Sequence, residues 1–230
     1  MTQAITDIKR DMKTDSSIDS LMALEEFALE KGAYKAKVFD TGAIVVDERV
    51  RMKCQIPLCP HFGHCLTCPP NAPTLDEFRK TLALFSKALM VQTQSPIMGD
   101  MDKAVRDEVM AYMANPGKEA GKKQAHDGVA QDLDNMKVSA IKLHKLINET
   151  EGKALMLGYH FATGFIGGEC MLCAECVGAN SGEKCRLPYQ ARPSMEAVGI
   201  DVYKTSSKAG LPFELPPKGE IIWTGMILVE

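Results

Sequence analysis

The sequence predicts an α+β fold: a single domain in which a mixed β-sheet of about five or six strands packs against helices. Helical and β-prone stretches are interspersed along the 230 residues, a length that suits one substantial domain or two small ones. Two β-prone runs, 34–39 and 43–50, are separated only by Asp-Thr-Gly, which is a hairpin pattern. This early hairpin argues against a purely parallel, doubly wound sheet.

The elements before the hairpin and after the first cysteines are marked by clear boundary residues. Residues 1–16 are polar and are expected to form a flexible leader to a domain that spans 17–230. From Asp19, apolar residues recur at helical spacing until Gly32, whose tolerance of positive φ suits a helix C-terminus. Further on, a capping box formed by Thr74-Leu75-Asp76-Glu77 starts a helix that is expected to run to about residue 86.

The middle of the chain alternates short apolar runs with helical repeats. A run at 88–93 has the length of a buried strand, and a four-residue repeat predicts a helix over 101–113. The segment 118–128 is expected to be an exposed connection, and a longer helix follows over about 133–158. The run 161–166 then predicts a strand that leads into the second group of cysteines.

The last part of the chain is predicted to contain mostly short helices and strands. Arg192-Pro193-Ser194 begins a short helix, and 200–203 is a small strand candidate. The proline-containing stretch 205–219 predicts a loop, and 221–229 predicts a closing strand.

Composition and charge exclude several functional classes. The chain carries 30 acidic and 27 basic residues, and this balance argues against a dedicated nucleic-acid or anionic-membrane binder. We find neither an apolar stretch of roughly 20 residues nor a secretory signal, so a cytoplasmic, reducing location is expected. The sequence contains neither a P-loop nor a dinucleotide-binding glycine motif, which argues against an ATPase or a dinucleotide-dependent enzyme.

All eight cysteines fall into two groups of four. The first group is Cys54-x4-Cys59-x5-Cys65-x2-Cys68, and the second is Cys170-x2-Cys173-x2-Cys176-x8-Cys185. In a reducing compartment, cysteines at such short spacings are metal ligands or redox catalysts more often than disulfides. The pattern therefore predicts two metal centres, each with a complete set of four thiolates.

The spacing favours two 4Fe-4S clusters over structural zinc (Zn). Three successive cysteines separated by two residues resemble the bacterial ferredoxin run, although here the fourth cysteine follows eight residues later. Cys65-x2-Cys68 alone is also an ordinary zinc hook, so zinc stays an alternative. Because ferredoxin runs can lend their fourth cysteine to the other cluster, Cys185 is a candidate for either centre.

Other polar residues near the cysteines are weaker candidates. His61 and His64 lie inside the first group, where loop or supporting roles suit them better than direct ligation. His160 is either a proton donor or a histidine packed in the core. Glu196 and Arg192 are candidates for a substrate pocket. Alternatively, Glu196 stabilises the start of a helix and Arg192 forms a salt bridge.

The cysteine motifs and one segment outside them resemble a known family. They are Cys65-x2-Cys68-Pro69-Pro70, Gly167-Gly168-Glu169-Cys170-x2-Cys173-x2-Cys176, Cys185-Arg186-x-Pro188 and Arg192-Pro193-Ser194-Met195-Glu196-Ala197. The chain resembles, from about residue 49 to about residue 202, the uncharacterised family of predicted metal-binding proteins of anaerobic bacteria and archaea. The resemblance implies metal binding and an anaerobic setting, and it brings no established reaction.

Two classes of function follow from these observations. The first is an electron-transfer or reductase accessory protein with a protein redox partner, including a variant in which one cluster binds substrate at an open iron. The second is a zinc-stabilised interaction or metalloprotein-assembly module. The residues do not identify a substrate, so the sequence does not decide whether the protein is an enzyme or an electron carrier.

Overall fold

A four-stranded antiparallel sheet forms the centre of the described chain. The computed structural model describes residues 19–96, 127–215, 217 and 220–230, with the side chains of all of them except 96 and 127–136. The strands are β1 (Lys35–Asp40), β2 (Lys87–Pro96), β3 (Thr163–Phe165) and β4 (Glu220–Val229), in the order β1-β2-β4-β3. The helices are α1 (19–30), α2 (Glu48–Met52), α3 (Leu75–Leu82), α4 (Asp127–Met156) and α5 (Val202–Lys208).

The two central strands are the longest and the most deeply buried. β2 and β4 pair over their full length, from Lys87 opposite Val229 to Pro96 opposite Glu220. Continuous apolar runs in both strands are buried on both faces, as expected for strands covered by helices on each side. The short strand β3 pairs with the C-terminal half of β4, and the chain passes from β3 directly into the second group of cysteines.

Each face of the sheet carries its own apolar core. On one face, α1 and α4 pack against Leu89, Val91 and Ile227. On the other face, Met90 and Met226 pack with residues of α3 and of the chain around α5. The fold therefore has one β-sheet with helices on both sides. It belongs to the α+β class that the sequence predicts. In the described part of the chain, no helix is long and apolar enough to cross a membrane.

The prediction of a second hairpin strand at 43–50 is wrong, and the described sheet has four antiparallel strands where a mixed sheet of five or six was expected. After β1 the chain forms a 3-10 turn, and Val46 makes only an isolated bridge to Ile200. Asp47 then caps α2, because its carboxylate accepts a hydrogen bond from the Arg49 N–H at 2.9 Å. Capping and pairing with a distant segment replace the hairpin.

The predicted strand at 200–203 is also wrong. Asp201 accepts a hydrogen bond from the Lys204 N–H at 3.0 Å and caps α5, which extends into the stretch predicted as loop. The short helix expected after Ser194 is a single 3-10 turn, Glu196–Val198. Its first turn is held by the Ser194 hydroxyl, which accepts from the Ala197 N–H.

Most other predicted elements are confirmed with small shifts of their ends. The capping box starts α3, which ends at Leu82 rather than near residue 86, and the C-terminal end of α1 is followed by Gly32 at φ 97°. The long helix is α4, which begins inside the segment expected to be a connection. The predicted leader and the predicted helix at 101–113 lie outside the described residues.

Candidate metal centre

The first group of cysteines lies on a series of tight turns between α2 and α3, which we call cysteine loop 1 (54–68). Backbone hydrogen bonds from Cys59 to Cys54 and from Cys68 to Cys65, at 3.0 and 3.1 Å, fold the loop on itself. Gly63, at φ 69°, donates its N–H to the Pro69 carbonyl at 2.7 Å. These short-range bonds hold all four thiols of the group within one compact segment.

The second group lies on cysteine loop 2 (167–186), which starts at the end of β3. A Cβ at Gly167 would lie 2.7 Å from the backbone oxygen of Thr224 in β4, so only glycine fits there. Ile166 and Ser194 form a parallel bridge, reinforced by a 2.8 Å bond from the Met195 N–H to the Ile166 carbonyl. The entry to loop 2 is thus fixed directly on the sheet.

The two cysteine loops pack against each other. The Ala179 N–H donates to the His64 carbonyl at 2.8 Å, and the His64 ring lies 3.0 Å from where a Cβ of Gly178 would be. His61 Nε2 lies 3.5 Å from Glu169 Oε1, so a second contact joins the loops. Both histidines of the first group therefore serve the junction between the loops, which agrees with the supporting role expected for them.

The thiols of the two loops differ in their exposure. All eight cysteines are free thiols, with Cys65 and Cys68 buried and the others partly exposed. The Cys65 thiol lies 3.6 Å from the Thr67 hydroxyl of its own loop.

A cavity between the loops is lined by five of the eight thiols. It is lined by Cys65, Cys170, Cys173, Cys176 and Cys185. Cys185 therefore lies with its sequence neighbours of the second group, and Cys65 of the first group lies beside them. Leu66 and Thr67 line the same cavity, and the Thr67 Oγ1 lies 3.6 Å from the Cys65 sulfur.

Hydrogen bonding and burial set the protonation of these thiols. The hydrogen bond from the Cys68 thiol lowers the pKa of Cys65, and the same bond together with burial raises the pKa of Cys68. Burial raises the pKa of Cys170 to about 11 and also raises the pKa of Cys54. Cys65 is thus the thiol most readily present as a thiolate, the form that binds metals.

A basic residue of α2 lies directly beside thiols of loop 1. The Arg51 side chain lies near Cys54 and Cys68 and donates to the carbonyl oxygens of Ala197 and Pro73. Arg49 instead pairs with the carboxylate of Asp47 at 2.6 Å. The positive charge near the first group therefore comes from Arg51, which also ties α2 to the 3-10 turn after Ser194.

The other candidate residues from the sequence, Glu196, Arg192 and His160, lie in three different surroundings. Glu196 accepts from the Gly168 N–H at 3.3 Å and lies near Cys54, and burial raises the pKa of its carboxyl. Arg192 pairs with Glu151 of α4 at 2.6 Å, as the salt-bridge interpretation expects. His160 is largely exposed and faces Glu230, so the packed interpretation of His160 is wrong.

Two residues of the site were missed by reasoning from the sequence. Thr67 and Glu169 each precede a cysteine, and each contacts the site through its side chain. Thr67 gave no signal beyond this adjacency, whereas Glu169 also belongs to the motif that carries the family resemblance. Among the residues that the structure describes, no three His, Cys, Asp or Glu side chains stand close enough together to hold a single metal ion.

Comparison with known proteins gives one match. Residues 37–229 match the model of a family described as predicted metal-binding protein, DUF2284. Neither the curated proteins nor the solved structures contain a significant match. The matched range contains all eight cysteines and every described strand except the first two residues of β1.

Proposed function

The chain belongs to the DUF2284 family of predicted metal-binding proteins, and on that premise we propose that it is an iron–sulfur protein that carries two 4Fe-4S clusters. The observation that supports this proposal is the packing of the two cysteine loops against each other, with Cys65 of the first group in one cavity with all four thiols of the second. Four cysteine thiolates are the usual ligands of one such cluster, so eight thiols suit two. The donor set therefore fits the proposed groups.

The surroundings of the thiols support an anionic group. Arg51 brings a positive charge beside two thiols of loop 1. Because Cys65 of loop 1 and Cys176 of loop 2 line the same cavity, the two centres would lie next to each other. Such clusters supply single-electron transfer with little rearrangement.

We propose an electron-transfer or reductase accessory role in anaerobic metabolism, carried out in the cytoplasm with a protein redox partner. The contact between the loops is what favours a relay over two independent structural sites, because electrons pass readily only between centres that lie close together. The chain's own contribution is to hold the two sets of thiols against each other through His64, Ala179 and the His61–Glu169 pair.

The proposal is tested by metal analysis of protein purified without oxygen. We expect about eight irons and about eight acid-labile sulfides per chain, and visible absorption that bleaches with dithionite. A Cys170→Ser, Cys173→Ser variant should lose about half of the iron, whereas Leu84→Ser, on an exposed site far from the loops in sequence, should keep it all. Absence of acid-labile sulfide in the wild-type protein would overturn the proposal.

One observation favours the zinc alternative. Cys65 and Cys68 are both buried and share one turn, which is how a Cys-x2-Cys hook holds a single zinc ion. In that case the protein would be a zinc-stabilised interaction or metalloprotein-assembly module. The same metal analysis separates the two, because zinc without sulfide and without visible absorption is the expected result for that module.

A further inference from the structure

A cluster of exposed apolar side chains lies at the start of cysteine loop 1. Met52, Ile56 and Leu58 are 52%, 72% and 68% exposed, and Pro57 between the last two is exposed as well. A single exposed apolar side chain is common on protein surfaces, whereas several on one short segment mark a contact surface. Neither the core of the fold nor the candidate centre accounts for these side chains.

The backbone brings the apolar side chains together. The Ile56 N–H donates to the Met52 carbonyl at 2.9 Å, so these two residues lie one helical turn apart. The Cys59 N–H donates to the Cys54 carbonyl at 3.0 Å and closes the turn 54–59. Residues 56–58 form the end of this turn, and we call them the apolar tip.

Both ends of the same turn are candidate ligands. Cys54 and Cys59 are partly exposed, whereas Cys65 and Cys68 of the same loop are buried. The apolar tip therefore lies between the two thiols of loop 1 that reach the solvent. Because electron transfer needs a close approach of the two centres, this is the side of loop 1 from which a partner could reach the candidate centre.

The charge around the apolar tip is positive. Between 49 and 73 the sequence contains Arg49, Arg51 and Lys53 but no Asp or Glu. Arg49 pairs with Asp47 at 2.6 Å, whereas Arg51 donates to backbone carbonyl oxygens and Lys53 is exposed. Loop 1 thus has no carboxylate of its own to balance Arg51 and Lys53. A partner with negative charge around its contact surface would be attracted and oriented by them.

We propose that the apolar tip, together with Met52 and Lys53, is the docking surface for an acidic one-electron carrier protein. The apolar side chains form the dry centre of a small interface, and carboxylates of the carrier surround Lys53 and Arg51. A second copy of this chain suits the surface less well, because two copies meeting at their tips would bring like charges together. The inference rests on the proposed function for the kind of partner, while the surface itself does not depend on the metal.

The docking surface is tested by binding of a plant-type 2Fe-2S ferredoxin, which is a small acidic carrier, to metal-loaded protein. Calorimetric titration without oxygen and at low ionic strength measures the affinity. Ile56→Ser with Leu58→Ser should weaken binding by about tenfold or more. Lys53→Glu should weaken binding by about three- to tenfold and make it less dependent on salt.

Three controls are matched to these variants. Ile56→Val with Leu58→Met keeps the tip apolar and should bind the ferredoxin as the wild type does. Leu84→Ser and Lys208→Glu change an exposed apolar and an exposed basic residue elsewhere, and they should also leave the affinity unchanged. A basic c-type cytochrome of similar size should not bind to the wild-type protein.

Several results would overturn the docking surface. They are no binding of the ferredoxin, equal affinities for the wild type and the serine double variant, and equal losses in the two double variants at the tip. Stronger binding of the cytochrome would contradict the charge argument. Tip-dependent binding to vesicles of phosphatidylglycerol, or tip-dependent self-association in sedimentation, would assign the surface to a different occupant.

Metal analysis of every variant keeps this inference separate from the proposed function. If the serine double variant loses metal, Lys53→Glu decides alone, because it changes no residue of the turn 54–59. If the wild-type protein holds zinc without sulfide, the proposed function fails, and the affinities still support or overturn the docking surface. If iron and sulfide are present but no affinity depends on the tip or on Lys53, the docking surface fails and the proposed function stands.

Discussion

Gly167 is the residue on which the position of cysteine loop 2 most directly depends. An alanine Cβ there would lie 2.7 Å from a backbone oxygen of β4, which has no room to move inside the sheet. We expect Gly167→Ala to reduce the free energy of unfolding by about 1 to 3 kcal/mol and to lower the metal content. Urea unfolding and metal analysis measure both effects.

Gly152→Ala is the matched control for that substitution. Gly152 lies in α4 with nothing within 4 Å of its added Cβ, so alanine should leave the protein as stable or raise its stability by up to about 1 kcal/mol. If both alanine variants unfolded alike, the close approach at Gly167 would have no importance for stability.

His144 makes stability depend on pH. It is buried in α4, and the Nε2–H donates to the Gln190 carbonyl at 2.8 Å, while burial lowers the pKa of the ring below its ordinary 6.5. The unfolded chain therefore binds a proton at a higher pH than the folded chain does. The contribution of His144 is complete above about pH 6.5 and is lost as the pH falls from there through the lowered pKa.

We expect the His144→Gln variant to flatten this dependence. Between about pH 7.5 and about pH 5.5, the wild-type free energy of unfolding should fall more steeply than that of the variant. Equal slopes for the wild type and His144→Gln would contradict the expected role of burial.

At the scale of single elements, the capping box of α3 is the clearest local determinant. The Thr74 hydroxyl accepts from the Glu77 N–H at 3.3 Å, and the Glu77 carboxylate accepts from the Thr74 N–H at 2.8 Å. Thr74→Ala should lower the free energy of unfolding by about 1 kcal/mol because the Glu77 N–H loses the hydroxyl that accepts from it.

Thr81→Ala is the control for the capping box. The Thr81 hydroxyl only donates to the Glu77 carbonyl on the exposed side of α3. Its removal should change the free energy of unfolding by less than about 0.5 kcal/mol. Chemical denaturation of the two variants side by side measures the difference, and equal losses would show that the cap carries no special weight.

Elements with local signals could be predicted, and elements that depend on distant partners could not. The capping box is complete within four residues, so the start of α3 was visible in the sequence. The stretch before α2 has strong β-propensity, but its segment 45–47 bonds to 199–201 rather than to β1. Asp47 and Asp201 are ordinary turn residues in the sequence, and their role as caps follows only when the chain around them is in place.

At the scale of the whole molecule, the same limit applies to the candidate centre. The spacing predicts all eight thiols as ligands, and the structure places Cys65 of the first group in one cavity with the four thiols of the second, while their role as ligands stays a prediction. The division into two groups of four reflects distance along the chain alone. Cys65 reaches the other group because His64 and Ala179 join the loops, a contact that no local pattern encodes.

Metal binding should therefore act on both loops together. We expect hydrogen exchange to slow in loop 1 and loop 2 at once when metal-free protein is loaded, because the centres share the contact between the loops. The central strands β2 and β4 serve as internal controls, since they are buried in both states. Protection confined to one loop would contradict a joint site.

The placement of β4 has a consequence for how the protein matures on the ribosome. Both cysteine loops precede β4 in the chain, but the base of loop 2 rests on Thr224 in β4, a strand that lies between β2 and β3. A nascent chain in which β4 is still inside the ribosome lacks the strand against which the base of loop 2 packs. We therefore expect a metal centre shared by the two loops to form only after β4 has been synthesised.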